Sequence, residues 1–276
     1  MRPLERGTAR RVEWGLCVLM LLAASGCNRL TFVKPDLGRG DFHRTAPELD
    51  IRTDNRQDGA RKALQQAQAA FAAGRIDEAG AFADEALKQD PGSAAAHTVR
   101  AVVADRRGEV ASAGDHYRRA VELAPHQGAM FNNYGTWLCA NGRPVESLEW
   151  FQRALADPNY PRQTTAMANA GACAIDAGQA EAGVELLESA LQSDPENPVA
   201  LGAMARHEFS AGRAFQARAF SQRRLAAAPA DPAALLLASQ IEQKLGDKEA
   251  ADRYVQRLRA EFPATSGSGT GDDGKR

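Results

Sequence analysis

Four cysteines and five histidines are the residues best able to carry chemistry in this 276-residue chain. Their spacing limits what that chemistry is. His43, His97, His116, His126 and His207 are nowhere paired at ligand spacing, and no His-Glu-x-x-His occurs, so a hydrolytic zinc site lacks its ligands. Cys139 and Cys173 lie 34 residues apart, which excludes a Cys-x-x-Cys redox or metal motif. No Gly-x-Ser-x-Gly nucleophile elbow is present, and Gly267-Ser268-Gly269 lacks the Lys of a phosphate loop. Asp84, Glu85 and Glu185 read as solvated helix faces. The expectation is a non-enzymatic chain with no metal, cofactor or small-molecule substrate. The balance of 34 basic and 35 acidic side chains also removes nucleic acid as a partner, because phosphate binding needs a basic surface.

The remaining chemistry belongs to Cys27. Arg2, Arg6, Arg10 and Arg11 precede an apolar run from Gly15 to Ala23, followed by Ala24-Ser25-Gly26-Cys27. A positive head, a short apolar run and small residues make a secretory signal over residues 1–26. The run falls well short of the roughly 20 apolar residues of a membrane span. A Cys directly after the small residues resembles a bacterial lipobox, in which the thiol is acylated and becomes residue one. An ordinary cleaved signal with an incidental Cys is the alternative. By the sorting habits of such lipoproteins, Asn28 in place of Asp implies the outer membrane, facing the periplasm. Acyl chains contribute about 0.8 kcal/mol per buried methylene, so several of them anchor durably. Cleavage removes four Arg and two Glu and moves the formal net charge from −1 to −3.

Residues 27–56 carry alternating charges, two prolines and little apolar periodicity, and read as a flexible tether. A tether of that size has a root-mean-square reach of about 30 Å. Residues 264–276 are rich in Gly, Ser and Asp and read as a disordered tail.

Between these ends one motif recurs six times. Gly74, Gly108, Gly142, Gly178, Gly212 and Gly246 are separated by 34, 34, 36, 34 and 34 residues. Pro91, Pro125, Pro161, Pro195, Pro229 and Pro263 follow the same period, as do two columns of small residues. One column runs Ala67, Ala101, Gly135, Gly171, Ala205, Ser239, and the other runs Ala79, Ala113, Ser147, Gly183, Ala217, Ala251. A 34-residue period of this kind is that of the tetratricopeptide repeat. Gly ends the first helix of each pair in a left-handed conformation, and Pro stops the second helix. Small residues let the paired helices approach. An apolar column, Ala83, Tyr117, Phe151, Leu187 and Val255, fills the space between pairs, with Ser221 as its weak member. Arg224 likewise departs from an alanine column, so the fifth repeat is the least regular. The expected fold is all-α, a superhelix of six helix-turn-helix repeats over 57–263, bounded near 60–93, 94–127, 128–163, 164–197, 198–231 and 232–263. No repeat buries its apolar face alone, so the six must stack, with a concave groove.

Repeats three and four break the pattern and are where function is sought. Their first helices contain Asn132-Asn133-Tyr134-Gly135-Thr136 and Asn169-Ala170-Gly171-Ala172. Asn133 and Asn169 each stand two residues before the small column, on the face that lines the groove in this fold. An amide there can both donate to and accept from the backbone of an extended peptide. It can equally bridge neighbouring helices. The expected groove residues are Asn132, Asn133, Thr136, Asn169 and Ala172. Cys139 and Cys173 stand at similar heights on these two helices, and an even pair in an oxidising compartment invites a disulfide. Two buried free thiols are the alternative. Two extra residues lengthen the junction Leu155-Ala156-Asp157-Pro158-Asn159-Tyr160, and the expectation is a protruding contact loop made by Pro158, Asn159 and Tyr160.

The lipobox, the six repeats, Asn-Asn-Tyr-Gly-x-x-Leu-Cys, Pro-Asn-Tyr-Pro and Asn-Ala-Gly-x-Cys-Ala together resemble the type IV pilus biogenesis lipoprotein family PilF/PilW. The resemblance covers the signal and residues 57–263. It implies a pilotin, a lipid-anchored outer-membrane protein that brings secretin (PilQ) subunits to that membrane and helps them multimerise. Pilus assembly, twitching motility and adhesion would depend on it. The alternative is a periplasmic adaptor of the same shape that docks peptidoglycan hydrolases or outer-membrane protein assembly components.

Overall fold

The computed structural model describes residues 51–263, with side chains from residue 56 onward. The expected signal, the lipidation site Cys27, the tether as far as residue 50 and the tail 264–276 lie outside the described residues. Twelve helices fill the described residues. They are α1 (Ile51–Ala72), α2 (Ile76–Gln89), α3 (Ala94–Arg106), α4 (Val110–Leu123), α5 (Gly128–Ala140) and α6 (Pro144–Leu155). The series continues with α7 (Gln163–Asp176), α8 (Ala180–Ser193), α9 (Pro198–Ser210), α10 (Ala214–Ala227), α11 (Pro232–Leu245) and α12 (Lys248–Glu261). Helix α1 begins at Ile51, inside the segment expected to be tether. Once Ala60, Ala63, Ala67 and Ala70 are packed, each further residue costs one residue's ordering for one hydrogen bond, so the helix runs on past its buried part.

Local chemistry sets the ends of the helices. All six periodic glycines have φ between +74° and +84°. The amide after each one donates to a carbonyl five residues back: Arg75 to Ala70, Glu109 to Ala104, Arg143 to Leu138, Gln179 to Ala174, Arg213 to Glu208 and Asp247 to Glu242, at 2.8–3.0 Å. This closure requires a left-handed residue and satisfies a carbonyl that the helix end leaves open. A Cβ at any of these glycines would meet nothing within 4 Å, so it is their conformation that selects Gly. Ser93, Asn197, Asp231 and Asp247 cap the N-termini of α3, α9, α11 and α12 by accepting from the third amide onward.

The small columns work as spacers. A Cβ on Gly171 would lie 2.7 Å from the carbonyl oxygen of Gly183, and one on Gly183 would lie 2.6 Å from the Ile175 side chain. Helices α7 and α8 therefore pack backbone to backbone. Each helix also packs on the next one in the chain. First helices additionally touch the first helix of the following pair: α1 with α3, α3 with α5, α5 with α7, α7 with α9 and α9 with α11. Second helices make no comparable contact with one another. The first helices therefore line the inner side of a curved stack, a tetratricopeptide superhelix.

Candidate functional site

The inner face is most built up where α5 meets α7. Asn132 is buried, and its side-chain oxygen accepts from the Asn169 amide at 2.9 Å. The same Asn169 Nδ2 reaches the Thr136 hydroxyl at 3.3 Å, and that hydroxyl donates to the Asn132 carbonyl at 2.8 Å. Of the two roles open to these amides, Asn169 takes the bridging one. The 36-residue step puts Asn133 in the register on α5 that Asn169 holds on α7. Asn133 is half-buried and makes no side-chain hydrogen bond among the described residues, which leaves its amide free to pair with a peptide group. Ala172 is half-buried and Thr136 exposed on the same face.

One turn further along, Cys139 and Cys173 are joined in a disulfide with a Cα separation of 5.9 Å. It staples α5 to α7 across a loop of 34 residues. Asn169 and the disulfide thus hold the same two helices at two heights.

Aromatic residues stand behind this pair of helices. Tyr117, Tyr134, Trp137 and Trp150 pack ring on ring with centroids 4.9–6.5 Å apart. Arg153 lies over both Phe131 and Trp150, at 4.5 and 4.7 Å from their ring centres. Gly114 makes room for this cluster, since a Cβ there would come within 2.5 Å of the Trp137 ring. Burial pushes the Tyr117 hydroxyl far above its ordinary pKa, so it stays neutral.

The Pro158–Asn159–Tyr160 junction departs from expectation at its third residue. Pro158 and Asn159 are exposed, but Tyr160 is buried and belongs to the core cluster with Phe131, Trp137 and Ala166. Gly128 receives it, because a Cβ there would lie 2.9 Å from Tyr160 and from the Ala154 carbonyl. Asp157 organises the turn. Its carboxylate accepts from the amides of Gly128 (2.8 Å) and Asn159 (2.9 Å), and its carbonyl accepts from Gln163 Nε2 (3.0 Å). The two extra residues therefore fold a ring inward to plug the α5–α7 junction instead of presenting one outward. Apolar surface is more stable inside, and Gly128 supplies the space.

Two further features escaped sequence reasoning. His97 and His116, 19 residues apart, face each other from α3 and α4 with their Nδ1 atoms 2.9 Å apart. His97 Nε2 lies 3.2 Å from the Pro91 carbonyl and must donate to it, so its Nδ1 accepts from His116. Burial pulls both imidazoles below their ordinary pKa; Arg119 adds to this for His97, and His97 and Arg100 add to it for His116. Two imidazoles do not make a metal site, and among the described residues no group of three or more His, Cys, Asp or Glu is placed to hold one. The second feature is a cavity of about 290 Å³ where α9, α10 and α11 meet, lined by Gly202, Arg206, Ser221 and Leu237. Its signals in the sequence are the irregular Ser221 and Arg224 of the fifth repeat. Among the described residues no helix is long and apolar enough to cross a membrane.

Comparison with known proteins gives these features a context. Family models described as tetratricopeptide repeat match residues 64–128 and 174–241. The chain is 31% identical to PilW, whose crystal structure is that of a widely conserved type IV pilus biogenesis factor; it covers 94% of that chain and 74% of its own, with a TM-score of 0.64. It is 25% identical over 216 residues to the type IV pilus assembly protein PilF of Pseudomonas aeruginosa, covering 78% of its own length and 86% of the relative's. An uncharacterised Haemophilus influenzae protein is 32% identical over 111 residues, which span 40% of this chain and 62% of that relative.

Proposed function

Because the chain belongs to the PilF/PilW family of tetratricopeptide-repeat type IV pilus biogenesis proteins, we propose that it acts as a lipid-anchored pilotin at the outer membrane. In this reading Cys27 carries the acyl chains, and the tether lets the repeats stand off the periplasmic face. The inner face of repeats three and four holds a secretin subunit. The observation that carries the reading is the match to PilW over nearly all of that protein's length.

The geometry suits such work. A secretin subunit outside its ring exposes unpaired strand edges, which aggregate. A rigid groove on a lipid anchor concentrates the subunit at the correct membrane without bond-making or bond-breaking. The disulfide, the Asn132–Asn169–Thr136 bridge and the aromatic cluster fix α5 and α7 before any partner arrives, which lowers the ordering cost of binding. The proposed function is therefore scaffolding, with no catalysis.

The test is the amount of heat-resistant secretin multimer in outer-membrane fractions, with and without this gene. Loss of multimer with monomer accumulating in the inner membrane is the expected result, and Cys27→Ser reproduces it. Normal multimer in the deletion strain rejects the pilotin reading and leaves a periplasmic adaptor with a different client.

A further inference from the structure

The junction of the fifth and sixth repeats has the plan of the α5–α7 junction but different contents. Moving along the repeat register, Leu237 stands where Asn169 stands, Gly202 where Asn132 stands, Arg206 where Thr136 stands and Ser221 where Phe151 stands. The space that the Asn132 amide and the Phe151 ring fill in repeats three and four is therefore open here. It forms the cavity of about 290 Å³ whose walls include Val199, Gly202, Arg206, Ser221, Arg224 and Leu237.

Gly202 is the telling residue. It lies inside α9, where glycine costs up to about 1 kcal/mol relative to alanine. Four glycines of the central helices are forced by packing: a Cβ at Gly114, Gly135, Gly171 or Gly183 would lie 2.5–3.1 Å from a neighbour. At Gly202 the nearest atoms would be Arg206 Nη1 and Arg224 Cδ, both at an ordinary 3.9 Å. Packing does not demand this glycine, and its φ is not left-handed. What the missing side chain provides is room.

Charge identifies the occupant. Arg224 is neutralised by Asp231 at 2.8 Å and also donates to the Ala228 and Pro229 carbonyls. Arg206 is exposed and has neither an ion pair nor a side-chain hydrogen bond among the described residues. The cavity thus combines a mostly apolar floor with one unpaired guanidinium at its rim, a group shaped for bidentate carboxylate pairing. Val199, one of its walls, is a large apolar residue left exposed, so the cleft offers an aliphatic group apolar surface that is open to solvent. We propose that this cleft is a second docking site, for an extended peptide of a partner protein that places an aliphatic side chain over Gly202 and a neighbouring carboxylate on Arg206. The site does not rest on the pilotin reading.

The test uses no pilus component, so its failure is distinguishable from failure of that reading. The purified full chain is screened by fluorescence polarisation against a positional-scanning library of acetylated octapeptides. The expected selection is Leu, Ile, Val or Met with Asp or Glu one or two residues away. Gly202→Leu, which fills the cleft with a better helix former, is expected to weaken the best peptide at least tenfold without lowering the melting temperature. Arg206→Glu, on the surface, is expected to exchange the acidic preference for a basic one. Absence of any selected pattern, or an affinity unchanged in both variants, overturns the proposal. So does sedimentation showing a dimer that Gly202→Leu converts to monomer, which would make the occupant a second copy of this chain.

Discussion

At the α5–α7 junction the inner face is filled and fastened, whereas at the α9–α11 junction the same register is hollow. In the first, Asn169 reaches across to Asn132 and Thr136, Phe151 is completely buried behind them, and a disulfide pins the helices one turn away. In the second, Gly202 and Ser221 leave a cavity, and the ties are ion pairs from α10 to α11 and its N-cap, Arg218 with Glu242 and Arg224 with Asp231. A repeat protein can thus hold its period while assigning rigidity to one junction and vacancy to another, because neighbour contacts are set pair by pair.

The comparison is broken most severely by removing what fills the first junction. Phe151→Ala is expected to cost about 3–5 kcal/mol in urea unfolding. Ser221→Ala, its register equivalent, should cost far less, and equal losses would mean that the two junctions are packed alike. Next in size is the covalent staple. Replacing Cys139 and Cys173 by Ala should cost about 2–4 kcal/mol, the worth of closing a loop of this length. A reducing agent should reproduce that shift in the parent and leave the double variant unmoved.

Asn169→Ala removes the donor that satisfies the buried Asn132 oxygen and should cost about 1–2 kcal/mol. Asn133→Ala breaks no hydrogen bond and should leave the melting temperature unchanged. If it nevertheless weakens the secretin capture proposed for this face, Asn133 is the amide that meets the partner; unchanged capture removes it from the proposed site. At the hollow junction the sign reverses, since Gly202→Ala should stabilise by about 0.5–1 kcal/mol. A loss there would show that α9 needs its glycine for packing.

The smallest effect lies outside both junctions, at the partly solvated pair His97 and His116. Folding lowers both pKa values, so below about pH 6.5 the unfolded chain takes up protons before the folded one does. The pair's contribution to stability is complete above that range and is lost as the pH falls through the lowered values. Double protonation also breaks the Nδ1–Nδ1 hydrogen bond. Unfolding at pH 7.5 and pH 5.5, with and without His97→Gln, checks this, and parallel profiles would remove the pair from the account.

Much of the site was legible because Asn132, Asn133, Thr136, Asn169, Ala172 and the two cysteines stand on the inner-facing first helices, a property that the period dictates. The role of each was not. Asn133 and Asn169 share a register, yet one bridges helices and the other is free, because Asn169 faces Asn132 and Thr136. At the matching positions on the preceding first helix Asn133 has Thr98 and Val102, so it lacks the side-chain carbonyl that Asn132 offers to Asn169. Tyr160 looked like a tip residue in a Pro-bounded loop until Gly128, 32 residues earlier, supplied the space that draws it inward.

By itself the sequence determined the helix pairs, their ends and their stacking. Left-handed glycine, the missing amide of proline and columns of small residues act on the backbone within a few residues, and such rules can be read along a line. Only the tertiary structure decided which junction is closed by amides and sulfur and which is left open at Gly202, and which way Tyr160 points. Those outcomes depend on side chains about 30 to 40 residues apart that meet only after the repeats have stacked. Burial and hydrogen-bond satisfaction are decided by whichever neighbour is present at that point.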